Sequence, residues 1–271
     1  MAQLSKTYPS LDNAQVLLKT KIDEISKQPN IEILTDYELS EFTGYIGNFQ
    51  VKIKNNKEDS SQAGIERELT VGAVVVATGY EVFDAKLKPE YGYGVYPNVI
   101  TGMELERIDE AGGPTKGQIE INGKVPQNIV FIQCVGSRDK SVGVEYCSRV
   151  CCMYTAKQAM YLRSKLPQAR ITVCYIDIRA FGKGYEQFYE RAQGEGILYR
   201  RGVISELYKQ GDKLIVRGED TLLGESYEEA ADLVVLATGL RPGKDTEGLA
   251  RKLNIPVGSD GFFLEMHPKL G

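Results

Sequence analysis

The chain has 271 residues, 42% hydrophobic and 26% charged, with a net charge of −4. That size holds two modest domains or one large α/β domain, and the charge balance gives no sign of a nucleic-acid or acidic-membrane partner. No apolar run reaches the roughly 18 residues of a membrane span and the N-terminus shows no apolar signal core, so the expected location is cytoplasmic.

In chain order, residues 12–28 carry Val16, Leu17, Ile22 and Ile25 at helical spacing, and Pro29 stops the helix this predicts. Ile31-Glu-Ile-Leu reads as a strand. Glu38 to Lys54 reads as a meander with turns at Gly44 and Gly47-Asn48, and Asn55 to Gln62 as an exposed polar stretch. Residues 73–79, Ala-Val-Val-Val-Ala-Thr-Gly, predict a short buried parallel strand closed by glycine. Residues 80–127 are rich in Gly, Pro and Tyr with little periodicity, and Gly112-Gly113-Pro114 marks a turn. The main boundary is expected near Lys124-Val125-Pro126.

From Asn128 the pattern is β-α-β. A strand over 128–134 leads through a loop to a helix over 153–165 and a second strand, Ile171 to Ile178. A further helix over 184–194, a strand from Gly196 and a small meander follow. Residues 233–239, Leu-Val-Val-Leu-Ala-Thr-Gly, then repeat the earlier motif. Flavoproteins with two nucleotide-binding domains end a segment of each domain in this way. Thr78-Gly79 and Thr238-Gly239 are therefore expected to border nucleotide sites, the glycines letting the backbone turn closely past a ligand. Residues 241–271 would return to the first domain. No Gly-x-Gly-x-x-Gly stands near the N-terminus, and the late Gly-Asp segment that usually closes a flavin site is missing. The sequence thus reads as a piece of a larger protein.

Four of the five cysteines, Cys134, Cys147, Cys151 and Cys152, fall within nineteen residues. They occupy the strand-to-helix turn where a glycine-rich loop would normally cradle a pyrophosphate. Cys147 and Cys151 are four apart, the spacing of one helical face, and Cys134 at the strand end supplies the opposite side. Thiolates converging on a small volume suit an iron–sulfur cluster, with Arg138 and Arg149 adding positive potential. Three other readings stay open: cysteines without metal, tetrahedral zinc, and a redox disulfide. The spacing lacks the Cys-x2-Cys of zinc knuckles and of dithiol oxidoreductases. Cys174 is expected in a strand core. Lys183, between Gly182 and Gly184, is a candidate contact for an anionic flavin or cluster. Asp177 stands where an acid would meet a nicotinamide ribose, and His267, the only histidine, is read as a loop residue.

Phe131-Ile-Gln-Cys-Val-Gly-Ser-Arg-Asp, Tyr146-Cys-Ser-Arg-Val-Cys-Cys-Met-Tyr, Ala180-Phe-Gly-Lys-Gly-Tyr-Glu and the run from Gly112 to Lys124 closely resemble the A subunits of heterodisulfide reductases. Flavoprotein subunits of quinone-interacting membrane-bound oxidoreductases are similar too. The resemblance implies an α/β, thioredoxin-reductase-like fold with two dinucleotide-binding domains and small β-meanders, truncated at both ends. It implies a partial FAD-domain-like region over 1–126, an NAD(P)-domain-like region over 127–240 carrying the cysteines, and a return segment over 241–271. It further implies that Cys134, Cys147, Cys151 and Cys152 ligate a [4Fe-4S] cluster, and that FAD sits in the intact parent. As part of an oxidoreductase complex, such a protein relays electrons toward a disulfide- or quinone-linked partner. Its partners would be other subunits of that complex, with ferredoxin or a hydrogenase or dehydrogenase subunit, without nucleic acid and without membrane insertion. The rival functions are an NAD(P)H-dependent disulfide reductase using a cysteine pair, and a non-catalytic docking scaffold. Unlike fuller relatives, the chain has no cysteine run between Lys54 and Gly72.

Overall fold

The computed structural model describes residues 3–57 and 64–265. In chain order its helices are α1 (Ala14–Ser26), α2 (Gly102–Asp109), α3 (Cys151–Lys165), α4 (Tyr185–Gly194) and α5 (Thr246–Leu253). The strands are β1 (Tyr37–Tyr45), β2 (Asn48–Asn55), β3 (Glu66–Val71), β4 (Glu81–Val82), β5 (Val99–Thr101), β6 (Asn128–Val135), β7 (Arg170–Tyr175), β8 (Leu198–Arg201), β9 (Ile204–Gln210), β10 (Lys213–Asp220), β11 (Glu225–Ala231), β12 (Leu233–Thr238) and β13 (Leu240–Arg241). The chain forms two compact units, Met1–Asp23 with Val82–Leu240 and Glu24–Glu81 with Arg241–Gly271.

The larger unit has three layers. Its centre is a parallel sheet in the order β5-β12-β6-β7-β8. Alternate residues of these strands face opposite layers. Ile129, Phe131, Ile171, Val173, Leu233 and Val235 pack against α2, α3 and α4. Val130, Ile132, Cys174, Val234 and Leu236 pack against Ile204, Leu207, Leu214 and Val216 of the antiparallel sheet β11-β10-β9. Burial on both faces explains why β6 and β12 read as continuous apolar runs. The smaller unit holds the antiparallel sheet β1-β2-β3 and α5, whose Lys252 donates to the Leu39 carbonyl at 2.7 Å.

Several elements differ from the sequence reading. The expected strand at 73–79 has no regular structure, and Val75 is 90% exposed. A buried parallel strand needs neighbours on both edges, and no described strand pairs with this segment. Ile31–Leu34 is irregular for the same reason. Helix α1 forms, but Val16, Leu17, Ile22 and Ile25 are exposed rather than packed. Asn55 is buried, and most of the expected polar stretch after it lies outside the described residues. The boundary expected near 126 is not where the contacts divide, because β5 pairs with β12 and binds residues 82–126 to those that follow. Residues 80–127 also hide α2. Its signal is a capping box: Thr101 Oγ1 accepts from the Glu104 amide, and Glu104 accepts from the Thr101 amide at 2.7 Å.

A buried ion pair fastens the N-terminal segment to the helices. Lys157 Nζ lies 2.5 Å from Glu106 Oε1, the two side chains being 3% and 2% exposed. Glu106 also accepts from the Ser5 amide and hydroxyl and from Gln158 Nε2, while Lys157 donates to the Lys6 carbonyl. Removing one partner leaves the other charge buried and uncompensated. Lys157→Met is expected to cost about 3 kcal/mol in urea unfolding, and Lys157→Met with Glu106→Met to recover most of it.

Candidate metal centre

The cysteine site begins with an irregularity in the central sheet. Leu236 of β12 pairs with Ile132 of β6, but Thr238 pairs with Val135, so Gln133 and Cys134 together face Ala237. This is a β-bulge, a device that re-aims a side chain next to a site. Cys134 takes φ +61° in it, the left-handed region that a non-glycine residue enters only when its surroundings hold it there. Gly136 follows at φ +68°, and a Cβ there would lie 2.0 Å from the Phe83 ring.

The loop then folds back on itself. Asp139 and Val144 exchange backbone hydrogen bonds, and the Arg138 amide donates to the Tyr146 carbonyl at 2.9 Å. Lys88 Nζ reaches Asp139 at 2.7 Å and Glu90 at 2.6 Å, pinning the turn from outside. Two serines tie the loop inward. Ser137 Oγ donates to the Tyr146 carbonyl and accepts from the Ser148 amide, while Ser148 Oγ accepts from the Leu240 amide at 2.9 Å. The tyrosines Tyr146 and Tyr154 donate to the carbonyls of Leu240 and Thr238, each at 2.9 Å.

All five cysteines are free thiols. Cys151 and Cys152 are buried in the first turn of α3, with Cys134 and Cys147 half-buried. Cys147 precedes the helix, so it does not share a helical face with Cys151 as the four-residue spacing suggested. Instead Arg149, at φ +61°, turns its amide onto Cys147 Sγ at 3.4 Å. The Arg179 amide donates to Cys152 Sγ, also at 3.4 Å.

The thiols sense one another. Burial, followed by the charges of Cys152 and Cys147, pushes Cys134 up to about 12, although Arg138 pulls the other way. Burial pushes Cys151 up, and the charges of Cys134, Cys152 and Cys147 add to that. Cys152 is also raised, mainly by burial, against the opposing Arg179 amide. For each of these three buried or half-buried thiols, neighbouring thiols are among the causes of the shift. Among the described residues, no group of three or more His, Cys, Asp or Glu is gathered closely enough for a single metal ion.

The other expected residues lie as follows. Cys174 is buried in β7, 3.3 Å from the Tyr227 hydroxyl. Asp177 is held by two guanidiniums, Arg138 at 2.7 Å and Arg179 at 3.2 Å, which together with hydrogen bonding keep its carboxyl below the usual range. Lys183 is exposed, and neither flanking glycine opens a path to the thiols. Gly182 receives the Tyr185 ring, which a Cβ would meet at 2.3 Å, and Gly184 caps α4 at φ +79°. Thr78 and Gly79 are exposed in the irregular segment, and Thr238 and Gly239 are buried. At Gly239 the close approach is made by protein atoms, since a Cβ would meet Ser148 Oγ at 2.7 Å and the Gly136 carbonyl at 2.8 Å. His267 lies outside the described residues. The sequence reading missed Gln133, Arg179, Lys88 and the Ser137–Ser148 pair. Gln133 and the serines carried a local signal, each lying three or fewer residues from a cysteine or glycine of the loop.

No protein-family model matches the chain. Curated relatives do. The whole chain is 39% identical to the A subunit of the H2/formate:CoB-CoM heterodisulfide,ferredoxin reductase of Methanococcus maripaludis, covering 52% of it. It is 39% identical to the iron-sulfur A subunit of the CoB–CoM heterodisulfide reductase of Methanocaldococcus jannaschii, again covering 52%. Against the A subunit of the ferredoxin/F420H2-dependent enzyme of Methanosarcina acetivorans the identity is 35%, covering 43%. The chain therefore spans about half the length of these relatives. The alignments run over more positions than the chain has residues, so the relatives also carry internal segments that it lacks. The fold is that of thioredoxin reductases. The thioredoxin reductase of T. acidophilum matches at TM-score 0.52 and 14% identity, over 97% of this chain and 71% of that one. The Lactococcus lactis enzyme matches at 0.53 and 16%, over 97% and 72%.

The thiol environments can be read by alkylation of the metal-free protein. Burial raises Cys174 from its ordinary value of 9.0 to about 11, leaving about one part in a thousand as thiolate at pH 8. Because the folded state holds this proton more tightly, its contribution to stability is complete below pH 9 and falls as pH rises toward 11. Mass spectrometry after brief iodoacetamide treatment at about pH 8 is expected to find Cys147 labelled first and Cys174 unlabelled. Equal labelling of the two would show that the β9–β11 sheet does not cover Cys174.

Proposed function

We propose that this chain, homologous along its whole length to heterodisulfide reductase A subunits, is the electron-relay portion of an iron–sulfur flavoprotein, and that Cys134, Cys147, Cys151 and Cys152 hold a [4Fe-4S] cluster. The observation that carries this reading is the placing of four cysteines where a phosphate-binding turn would stand between β6 and α3: Cys134 in the strand's bulge, Cys147 in the loop, and Cys151 and Cys152 in the helix's first turn.

The buried groups around the thiols suit thiolates better than thiols. With Cys152 protonated, its S–H donates to Gln133 Oε1 at 3.5 Å, and Gln133 Nε2 is left buried without a partner. Ligation removes that proton. Turning the Gln133 amide over then lets Nε2–H donate to the sulfur. The amides of Arg149 and Arg179 already point at Cys147 and Cys152. The N-terminus of α3 presents unpaired backbone N–H groups and the positive end of its dipole to the same volume. Arg138 and Arg179 add cationic charge, partly offset by Asp177.

When bound, the cluster supplies one-electron carriage. The chain's own residues fix the four sulfurs, screen them from water on the Cys151 side, and favour the more negative, reduced form through N–H donors and guanidiniums. FAD belongs, on this reading, to the intact parent. The chain has no Gly-x-Gly-x-x-Gly cradle, and Thr78-Gly79 lies in an exposed, unpaired segment. The parent would serve as an oxidoreductase component of a disulfide- or quinone-linked complex, with ferredoxin, which the relatives' names include, as one electron partner. No helix among the described residues is long and apolar enough to cross a membrane. A nicotinamide-dependent disulfide reductase is disfavoured because two arginines already occupy the Asp177 carboxylate and the cysteine loop fills the turn a pyrophosphate would need.

Iron and acid-labile sulfide, measured after anaerobic reconstitution, are expected at about four per chain. Cys147→Ser should lower iron content and change the paramagnetic resonance of the reduced protein, whereas Cys174→Ser should leave both unchanged. A wild-type protein that takes up no iron, or a Cys174→Ser protein that loses as much as Cys147→Ser, would sink the assignment.

A further inference from the structure

We propose that the loop from Arg179 to Gly184, with the neighbouring Arg149, is a docking surface for a small acidic electron carrier of the ferredoxin type. This rests on the reading of the four thiols as a cluster site. The chain is acidic overall, at −4, but Arg179-Ala-Phe-Gly-Lys-Gly contains two cations and no carboxylate. Arg149 is also exposed here, with its guanidinium 5.8 Å from the Phe181 ring centroid. The nearest acid before the loop, Asp177, is shared between Arg138 and Arg179. The nearest after it, Glu186, is in the first turn of α4.

At the centre of these cations Phe181 is 66% exposed. An exposed aromatic ring flanked by arginine and lysine has the composition of an interface anchor. The loop presenting it is held in place. The Tyr185 ring packs on Gly182, the Tyr185 amide donates to the Gly182 carbonyl at 3.1 Å, and Tyr8 meets Tyr185 edge-on at 5.4 Å. A pre-organised ring lowers the ordering cost of association.

What ties the surface to electron transfer is its backbone. The Arg149 and Arg179 amides donate to the sulfurs of Cys147 and Cys152. The same two residues therefore hold the thiols with their main chain and face solvent with their side chains. A partner seated on Phe181 would lie over the Cys147–Cys152 side of the site. Charge complementarity selects the partner: an acidic protein is steered to this loop, whereas a basic partner is repelled from it.

The test is calorimetric titration of the whole chain with a small acidic bacterial ferredoxin at about 50 and about 200 mM salt, with iron content measured on the same samples. Phe181→Ala and Lys183→Glu are each expected to weaken binding about fivefold or more at low salt, Lys183→Arg to restore it, and Lys183→Glu to flatten the salt dependence. None should change iron content. Binding by both variants within about twofold of wild type would overturn the proposal. So would an absence of wild-type binding, equal binding of a basic carrier of similar size, or self-association that only Phe181→Ala abolishes. Because docking is measured without electron transfer, wild-type protein that binds ferredoxin but no iron would overturn the cluster reading and leave the surface standing.

Discussion

The arrangement of the site depends on how closely the cysteine loop approaches the turn after β12. Gly239 has no side chain, and the space a Cβ would fill is occupied by Ser148 Oγ, the Gly136 carbonyl and Ser137 Cβ, each within 2.9 Å of that position. This contact closes the loop over the C-terminal ends of β6 and β12, sets Ser148 against the Leu240 amide, and places the start of α3 beside the Thr238 carbonyl. Gly136 does the same on the other side, against Phe83. Both glycines thus serve close approach, and the atoms approached are the protein's own: a phenylalanine ring at Gly136, and two serine side chains and a carbonyl at Gly239.

Within that frame the thiols occupy a costly position. Burial alone raises Cys134, Cys151 and Cys152, and each thiolate opposes its neighbours. The opposing contributions are local: two main-chain amides, one helix terminus and the guanidiniums around Asp177. Several non-glycine residues of the loop, Cys134, Arg138 and Arg149, sit at positive φ. Such residues persist only where surrounding contacts fix them, and here the fixing contacts are the Lys88 clamp, the two serines and the β6 bulge. At Arg149 the left-handed turn aims the backbone N–H at Cys147 Sγ, so the strain there and that hydrogen bond have one origin.

The larger unit was legible from the sequence because its strands are buried on both faces and its helices are bounded by clear breaks. Strands β6, β7 and β12 and helices α3 and α4 all appear within a few residues of their expected limits. The sulfur ligand candidates were legible from spacing and from the family resemblance, but their geometry was not. A four-residue interval suggested one helical face for Cys147 and Cys151, whereas a left-handed residue intervenes and the helix begins only at Cys151. The β-bulge, the Gln133 amide and the Arg179 amide come from elements brought together by tertiary folding, which single-sequence periodicity does not encode. The capping box of α2 was readable and was masked by the surrounding Gly, Pro and Tyr. At 73–79 the local pattern was strand-like, but a strand also requires a partner edge.

That last segment has a further consequence. Val74, Val75 and Tyr80 stand in water beside main-chain groups that no described strand satisfies. A stretch with strand chemistry and no sheet is a sticky edge, open to pairing with any extended polypeptide that meets it. The exposed edge therefore lies in a segment separate from the thiols, so substitutions that blunt it with charge or proline leave the cysteine loop's contacts untouched.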